Sequence, residues 1–429
     1  MNVAVIGGGY AGMAAAVSLA RAGAGVTVYE AGQQLGGRAR RVVIRDTALD
    51  NGCHILLGAY TETLALIERV HRAPQTAIVR LPLEWHIHGR FHLKSRALPA
   101  PFNLAAGLLT ARGASWSERL AALRFMRAMQ RQRYVLEHDT TVSDLLQRHA
   151  QSAAFTRHLW RPLCIAALNT PPERASAQVF LNVLRDGLGA SRAASDLLLA
   201  RSDLSALFPE PAAEYVRAHG GAVHAGTSVT AMKRAGSRLT LSTRGGDIDH
   251  DHVICAVSPH RAAALLATLP GLEAPVDALR AMRYQPIYSV YLQLAETCTL
   301  PAPMLGLSGM AQWVFDREAL CAQRGLIAAV ISAQGPHQNM TQDALAAAVF
   351  EELQHELGPL PPIVWHRVIA EKRATFECTP GLERPHTRTA LSNVHLAGDY
   401  TAGDYPATLE GAVRSGIAAA RQVLQSISR

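Results

Sequence analysis

Gly7-x-Gly9-x-x-Gly12 stands between an apolar run, Val3-Ala4-Val5-Ile6, and an alanine-rich stretch that reads as a helix to about Ala22. A glycine triplet at this spacing does one kind of chemistry. The first glycine permits a tight turn, the second lets a pyrophosphate approach the backbone, and the third lets helix and strand come close. The helix N-terminus then faces the phosphate charge. Val26-Thr27-Val28-Tyr29 reads as a second strand ending at Glu30, eighteen residues past Gly12. There a carboxylate accepts hydrogen bonds from ribose hydroxyls and disfavours a 2′-phosphate. The unit is βαβ, and the site it builds takes a dinucleotide. A second glycine pair follows in Leu35-Gly36-Gly37-Arg38-Ala39-Arg40, whose guanidinium suits bidentate contact with phosphate oxygens. The titratable candidates for further chemistry are His54 and, near the far end of the chain, Asp404 and Tyr405. Asp50 reads as a residue that holds its loop. No Ser-His-Asp spacing is recognisable.

The elements that must position these groups alternate along the chain. Residues 60–71 read as a helix. Beyond about 80, Trp, Phe, Leu and Arg become frequent, proline punctuates, and helical periods dominate to about 200. Strand and helix alternation resumes near 212–257, strand-like runs with a helix near 341–356 fill 283–380, and Val394–Asp399 with a helix from about 408 to 425 closes the chain. The predicted architecture is an α/β dinucleotide-binding domain of Rossmann type over 1–80, 201–280 and 385–429. It is interleaved with a mixed α+β domain over 81–200 and 281–384.

Composition bounds the rest. With 429 residues, 49% hydrophobic and 18% charged, the chain is long enough for two or three domains with ordinary cores. Six cysteines, at 53, 164, 255, 298, 321 and 378, include no Cys-x-x-Cys and no clustered ligand set, so neither a dithiol motif nor a metal site is expected. The opening at Met1 runs directly into a strand without a signal-peptide pattern, and a cytoplasmic location is expected. Net charge is +8, but only three of the 42 basic side chains are lysine, at 94, 233 and 372, and the arginines are spread along the whole chain. That is no nucleic-acid footprint. The one dense cluster, Arg119, Arg124, Arg127, Arg131 and Arg133, reads as a solvated helix face or as a surface for anionic membrane at the inner face of the cytoplasmic membrane.

Gly36-Gly37-Arg38 resembles the signature of the large FAD family that contains monoamine oxidases, protoporphyrinogen oxidase and phytoene desaturases. Leu396-Ala397-Gly398-Asp399 and Pro406-Ala407-Thr408-Leu409-Glu410-Gly411-Ala412 resemble that family's closing signature. The resemblance implies a flavin whose ribityl chain meets Asp399 and whose ring lies near the helix that starts after Thr408. It places Gly7, Gly9, Tyr10, Ala11, Gly12, Glu30 and Ala31 at the adenosine and phosphates, with Gly36, Gly37 and Arg38 beside them. Asn51, Gly52, Val229, Ala256, Gly398, Asp399, Ala407, Thr408, Leu409 and Ala412 complete the expected contacts. No Cys lies in the closing segment to tether the flavin, so FAD is expected to be non-covalent. No second Gly-x-Gly-x-x-Gly binds a nicotinamide, so electrons come from an external donor.

Leu49-Asp50-Asn51-Gly52-Cys53-His54-Ile55-Leu56-Leu57-Gly58 and Trp160–Ser176 are similar to the squalene-associated, desaturase-like branch, the hydroxysqualene dehydroxylases of bacterial hopanoid biosynthesis. Ser195-Asp196-Leu197, Pro209-Glu210-Pro211, Thr375-Phe376 and Thr379-Pro380-Gly381 extend the likeness over most of the chain. Cys53, where Gln is expected, and Tyr400, where Trp is frequent, depart from it. The implied substrate is a thirty-carbon isoprenoid alcohol, hydroxysqualene, lying in an apolar tunnel for which Trp85, Phe91, Trp160, Phe180 and Trp313 are candidates. His54 is then the expected proton donor, with Asp404 and Tyr405 as alternatives. A carotenoid-type desaturase, an amine oxidase and a non-catalytic isoprenoid-binding protein on the same fold stay open as alternatives.

Overall fold

The computed structural model describes residues 2–427. Five strands, Asn2–Ile6, Gly25–Glu30, Ala222–Ala225, His252–Cys255 and Val394–Leu396, form one parallel sheet. Numbered along the chain, they lie in the order 3-2-1-4-5. A parallel sheet is buried on both faces at its centre, which is why the central strand carries the unbroken apolar run Val3-Ala4-Val5-Ile6. Val3, Val5 and Ile254 point into one core, beneath the helices Tyr10–Arg21 and Leu409–Ile427. Ala4, Ile6, Cys255 and Leu396 point the other way, into a core shared with Trp85, Phe125 and Tyr291 of the second unit.

The second unit is built on a seven-stranded sheet. Its spatial order is Ile363–Phe376, Tyr284–Leu294, Leu326–Ser332, Trp313–Asp316, Met304–Gly306, Glu84–Ile87 and Phe91–Lys94. Every pairing is antiparallel except the single parallel bridge Gly306 to Ile87. The helix Gln342–Leu357 covers one face of this sheet. Helices between Phe102 and Gly189 gather around Phe125, Trp160 and Phe180. A small antiparallel sheet of Leu56–Leu57, Ile78–Leu81 and Leu197–Ala200 stitches the two units together, because Leu81 pairs with Leu197 across the places where they meet in sequence. Among the described residues no helix is long and apolar enough to cross a membrane.

The first and last helices touch backbone to backbone. A Cβ on Gly416 would lie 2.1 Å from the carbonyl oxygen of Ala11, closer than any real contact. Replacement Gly416→Val should force the two helices apart at about 1–3 kcal/mol, the usual range for overpacking. Urea denaturation should show a lowered midpoint at an unchanged slope; an unchanged midpoint would mean that the helices tolerate separation.

Candidate functional site

The carboxyl ends of the parallel strands open into a cavity of about 630 Å³, well inside the 300–1,000 Å³ usual for small-molecule sites. Each strand except the edge strand Ala222–Ala225 contributes residues at its carboxyl end: Gly7 and Gly9, then Glu30 and Ala31, then Ala256–Ser258, then Gly398 and Asp399. The opposite wall comes from the second sheet, through Ile287, Trp313, Phe315, Val330 and Ser332, with Glu371, Ala374 and Thr375. The helix Arg161–Leu168 adds Ile165, Ala166 and Ala167. One wall is therefore rich in backbone donors and the other mainly apolar.

The polar wall fits a dinucleotide. The turn at Gly7–Gly9 and the turn at Gly36–Gly37 lie back to back, joined by the Gly36 N–H donating to Gly8 O at 2.9 Å. A Cβ on Gly9 would meet nothing nearer than 3.7 Å, where the Gly37 Cα lies, so the two glycine turns leave a cradle that any side chain would fill. The helix Tyr10–Arg21 starts at that cradle with no side chain capping it, leaving its first N–H groups for an anion. Glu30 accepts from Gly8 N–H at 2.7 Å and from Gly32 N–H at 2.8 Å, which fixes its carboxylate at the cavity edge.

Arg38 does not reach out as a free fork. Its guanidinium donates to Asp399 Oδ1 at 2.5 Å and to the Ala374 carbonyl at 2.6 Å. Two of its nitrogens are thereby engaged by a buried carboxylate and a carbonyl, while Arg38 still borders the cavity. Burial works against the Arg38 charge, but Asp399 and Glu371 hold it above its ordinary range. Asn51 Nδ2 donates to the Arg38 carbonyl at 3.1 Å, so the loop carrying His54 is hung on the same arginine. Asp50 anchors that loop from below: its carboxylate accepts from Leu204 N–H at 2.8 Å and pairs with Arg317 at 3.3 Å, while Tyr291 Oη donates to its carbonyl.

His54 lines the cavity with its Nδ1 2.6 Å from the Gly52 carbonyl. A carbonyl only accepts, so Nδ1 carries the hydrogen and Nε2 is the open atom. Burial, and then the nearby Arg38 charge, push the imidazole below its ordinary value despite the Gly52 contact. The resting ring is neutral at pH 7, and the expected proton donor must first be protonated. Cys53, also on the wall, is a thiol pushed up by burial to about 11 and is no nucleophile at neutral pH.

The cavity gathers most of the sequence-predicted set: Gly7, Gly9, Tyr10, Ala11, Glu30, Ala31, Gly36, Gly37, Arg38, Asn51, Gly52, Ala256, Gly398, Asp399, Ala407, Thr408, Leu409 and Ala412. Gly12 and Val229 are not on its wall. Gly12 serves the close approach of helix and strand, since a Cβ there would lie 1.9 Å from Gly7 O. Val229 opens a strand of a separate antiparallel sheet. Asp404 and Tyr405 are also elsewhere. The Tyr405 hydroxyl donates to Asp186 at 3.0 Å, and exposed Asp404 faces Arg185 at 3.4 Å, so neither is placed to serve the cavity as a donor. Of the proposed tunnel aromatics only Trp313 reaches the cavity; Trp85, Phe91, Trp160 and Phe180 are core. Ile165–Ala167, Ile287 and Val330 are not marked as cavity residues in the sequence, because ordinary apolar residues on a helix and two strands carry no sign of which face meets a ligand.

A nucleotide cradle at the carboxyl ends of a 3-2-1-4-5 parallel sheet, facing a mixed second sheet across one cavity, defines an oxidoreductase of the flavin amine oxidase fold. Residues 10–424 match the family described as flavin containing amine oxidoreductase. The hydroxysqualene dehydroxylase of Rhodopseudomonas palustris is 33% identical, covering 99% of this chain and 98% of the relative. That of Zymomonas mobilis is 28% identical, covering 97% of each. Among solved structures, cyclohexylamine oxidase from Brevibacterium oxydans is 17% identical with a TM-score of 0.70, covering 100% of this chain and 99% of that one. The chain belongs to the flavin-containing amine oxidoreductase family, within its hydroxysqualene dehydroxylase-like branch, and is an FAD-dependent oxidoreductase.

Asp50 gives a test of the anchor. Burial raises its carboxyl to about 6 although Arg317 and Leu204 N–H work in the opposite direction. A folded-state value above the unfolded one, about 3.9, means that this group favours the fold below about pH 4 and that the contribution is lost as pH rises through about 6. Between those limits wild-type stability should carry a downward slope worth on the order of 1–3 kcal/mol. Asp50→Asn should remove that slope, read from urea midpoints across the window.

Proposed function

We propose that the chain replaces the hydroxyl of hydroxysqualene with hydrogen, giving squalene and water, in squalene and hopanoid biosynthesis. The observation that carries this reading is the 33% identity to a hydroxysqualene dehydroxylase over nearly the whole of both chains. The mainly apolar far wall of the cavity supports it, because a long isoprenoid alcohol offers little else to bind. Non-covalent FAD in the polar half, when reduced, supplies the hydride to the carbon that loses the hydroxyl. The single glycine fingerprint supports an external source for the two electrons.

The chain's own residues have three tasks. The glycine cradle, the start of the helix Tyr10–Arg21 and Glu30 would bind the nucleotide, and Thr408, Leu409 and Ala412 on the same cavity would hold the ring system. Ile165, Ala166, Ala167, Val330 and the faces of Trp313 and Phe315 orient the isoprenoid and keep water from the allylic carbon. Hydroxide is a poor leaving group, so the departing oxygen needs a proton, and His54 Nε2 is an open atom on the wall that titrates nearest neutral pH.

Purified protein should convert hydroxysqualene to squalene with its flavin pre-reduced and leave squalene, phytoene and amines unchanged with its flavin oxidised. Deuterium carried by the reduced flavin should appear at the former carbinol carbon. Oxidation of phytoene or an amine, with hydroxysqualene untouched, would overturn the substrate assignment.

The acid role of His54 has its own signature. The working form is the imidazolium, and its value lies below 6.5, so turnover should rise as pH falls below 6.5. His54→Ala should keep the flavin, lose roughly 10²-fold in turnover and lose that pH limb. An unchanged rate and profile would remove His54 from the chemistry.

A further inference from the structure

Half of the large exposed apolar side chains among the described residues fall in one short stretch, Leu98, Phe102, Trp116 and Leu120. Phe102 and Trp116 are each 64% exposed. The stretch comprises the loop before the helix Phe102–Leu109, that helix, and the start of the helix Trp116–Arg131 packed against it. On the longer helix, exposed positions 116, 120, 124, 127 and 131 recur at helical spacing, so Trp116 and Leu120 continue directly into Arg124, Arg127 and Arg131. These three guanidinium groups have no ion pair or hydrogen-bond partner among the described residues. The helix has one carboxylate, Glu118, and it is already engaged by Ser115 and Ser152.

We propose that this face is a docking surface for anionic lipid, with Leu98, Phe102, Trp116 and Leu120 entering the acyl boundary and the arginine row lying on the headgroups. The division of labour is that of an interfacial amphipathic helix, with an apolar tip beside unpaired basic charge. A second copy of the chain docked face to face would set two unpaired arginine rows against each other, whereas anionic headgroups neutralise them. The surface is also mechanically tied to the cavity. Phe125, on the buried side of the same helix, meets Trp160 edge-on at 5.2 Å, and Trp160 immediately precedes the helix Arg161–Leu168 that supplies Ile165–Ala167 to the wall. The lipid-facing helix and the cavity-lining helix are thus joined through one aromatic contact. This goes beyond the proposed reaction and does not depend on it.

Flotation of the full-length protein with vesicles tests it without turnover. Wild type should float with phosphatidylcholine–phosphatidylglycerol vesicles and lose that binding as salt rises, and should bind phosphatidylcholine alone far more weakly. R124Q/R127Q/R131Q should weaken anionic binding by about fivefold per arginine, on the order of 10²-fold together. F102S/W116S should weaken it by roughly tenfold or more, as expected for removal of buried apolar area. Both variants should keep the wild-type flavin absorbance and a near wild-type urea midpoint, which show that the fold is intact. Absence of wild-type flotation, or equal flotation of all three proteins, overturns the proposal. So does a concentration-dependent dimer that F102S/W116S abolishes while vesicle binding is unaffected. None of these outcomes bears on which substrate the cavity takes.

Discussion

The ion pair between Arg38 and Asp399 joins residues 361 positions apart, and the cavity is arranged around it. Asp399 follows the last parallel strand and is buried, so an unpaired charge there would oppose folding. Arg38 reaches it because the Gly36–Gly37 turn lets the chain double back against Gly8. The same arginine donates to Ala374 in the second sheet and accepts from Asn51 through its carbonyl. One residue thus links the nucleotide turn, the His54 loop, the closing strand and the second sheet. The pair itself lies within the first unit, and the Arg38 contact to Ala374 is what carries it across to the second.

A second anchor closes the opposite end. Glu410, fully buried, accepts from the backbone N–H groups of Glu62 and Thr63, from the Thr63 hydroxyl and from Arg414. It satisfies the exposed start of the helix Thr61–Val70 from a helix that begins nearly 350 residues later. With Gly416 pressed on Ala11, the last helix is locked to both early helices. A cofactor held between Gly9 and Thr408 would therefore rest on elements whose separation is set by backbone contact.

Legibility followed how local each signal was. The parallel sheet and its glycine turn could be read because the fingerprint, the apolar strand before it and Glu30 lie within thirty residues and each obeys a short-range rule. Asp399 was findable through the closing signature, but its partner was not, since nothing in Gly36-Gly37-Arg38 distinguishes a guanidinium aimed at phosphate from one aimed at a buried carboxylate. Asp404 and Tyr405 lay close in sequence to that signature, and the chain there turns outward toward Asp186 and Arg185. Proximity along the chain was the wrong measure. Glu410 was visible only as one letter of a motif, its capping role depending on a contact across the whole fold. The apolar wall was least legible, because Trp313 and Trp85 touch edge to face and only one of them borders the cavity.

The two walls also differ in which groups they present, main chain on one and side chains on the other. Backbone groups do much of the work on the nucleotide side: glycine N–H groups, helix starts and a carbonyl-held arginine, none of which constrains what is chemically transformed. The second sheet contributes side chains from strands that alternate faces, so a change at Ile287, Trp313 or Val330 alters the cavity without disturbing the sheet's hydrogen bonds. That separation explains how a chain of this branch shares its fold with a cyclohexylamine oxidase at 17% identity. The side chains that could discriminate between substrates are those of the apolar wall and the 50–54 loop, which border the cavity away from the glycine turns. In this chain that loop presents a protonated thiol and a neutral imidazole rather than a fixed charge. Among the described residues Glu371 is the one charged side chain the far wall adds to the cavity, and away from it the apolar stretch could not offset the desolvation of an ammonium.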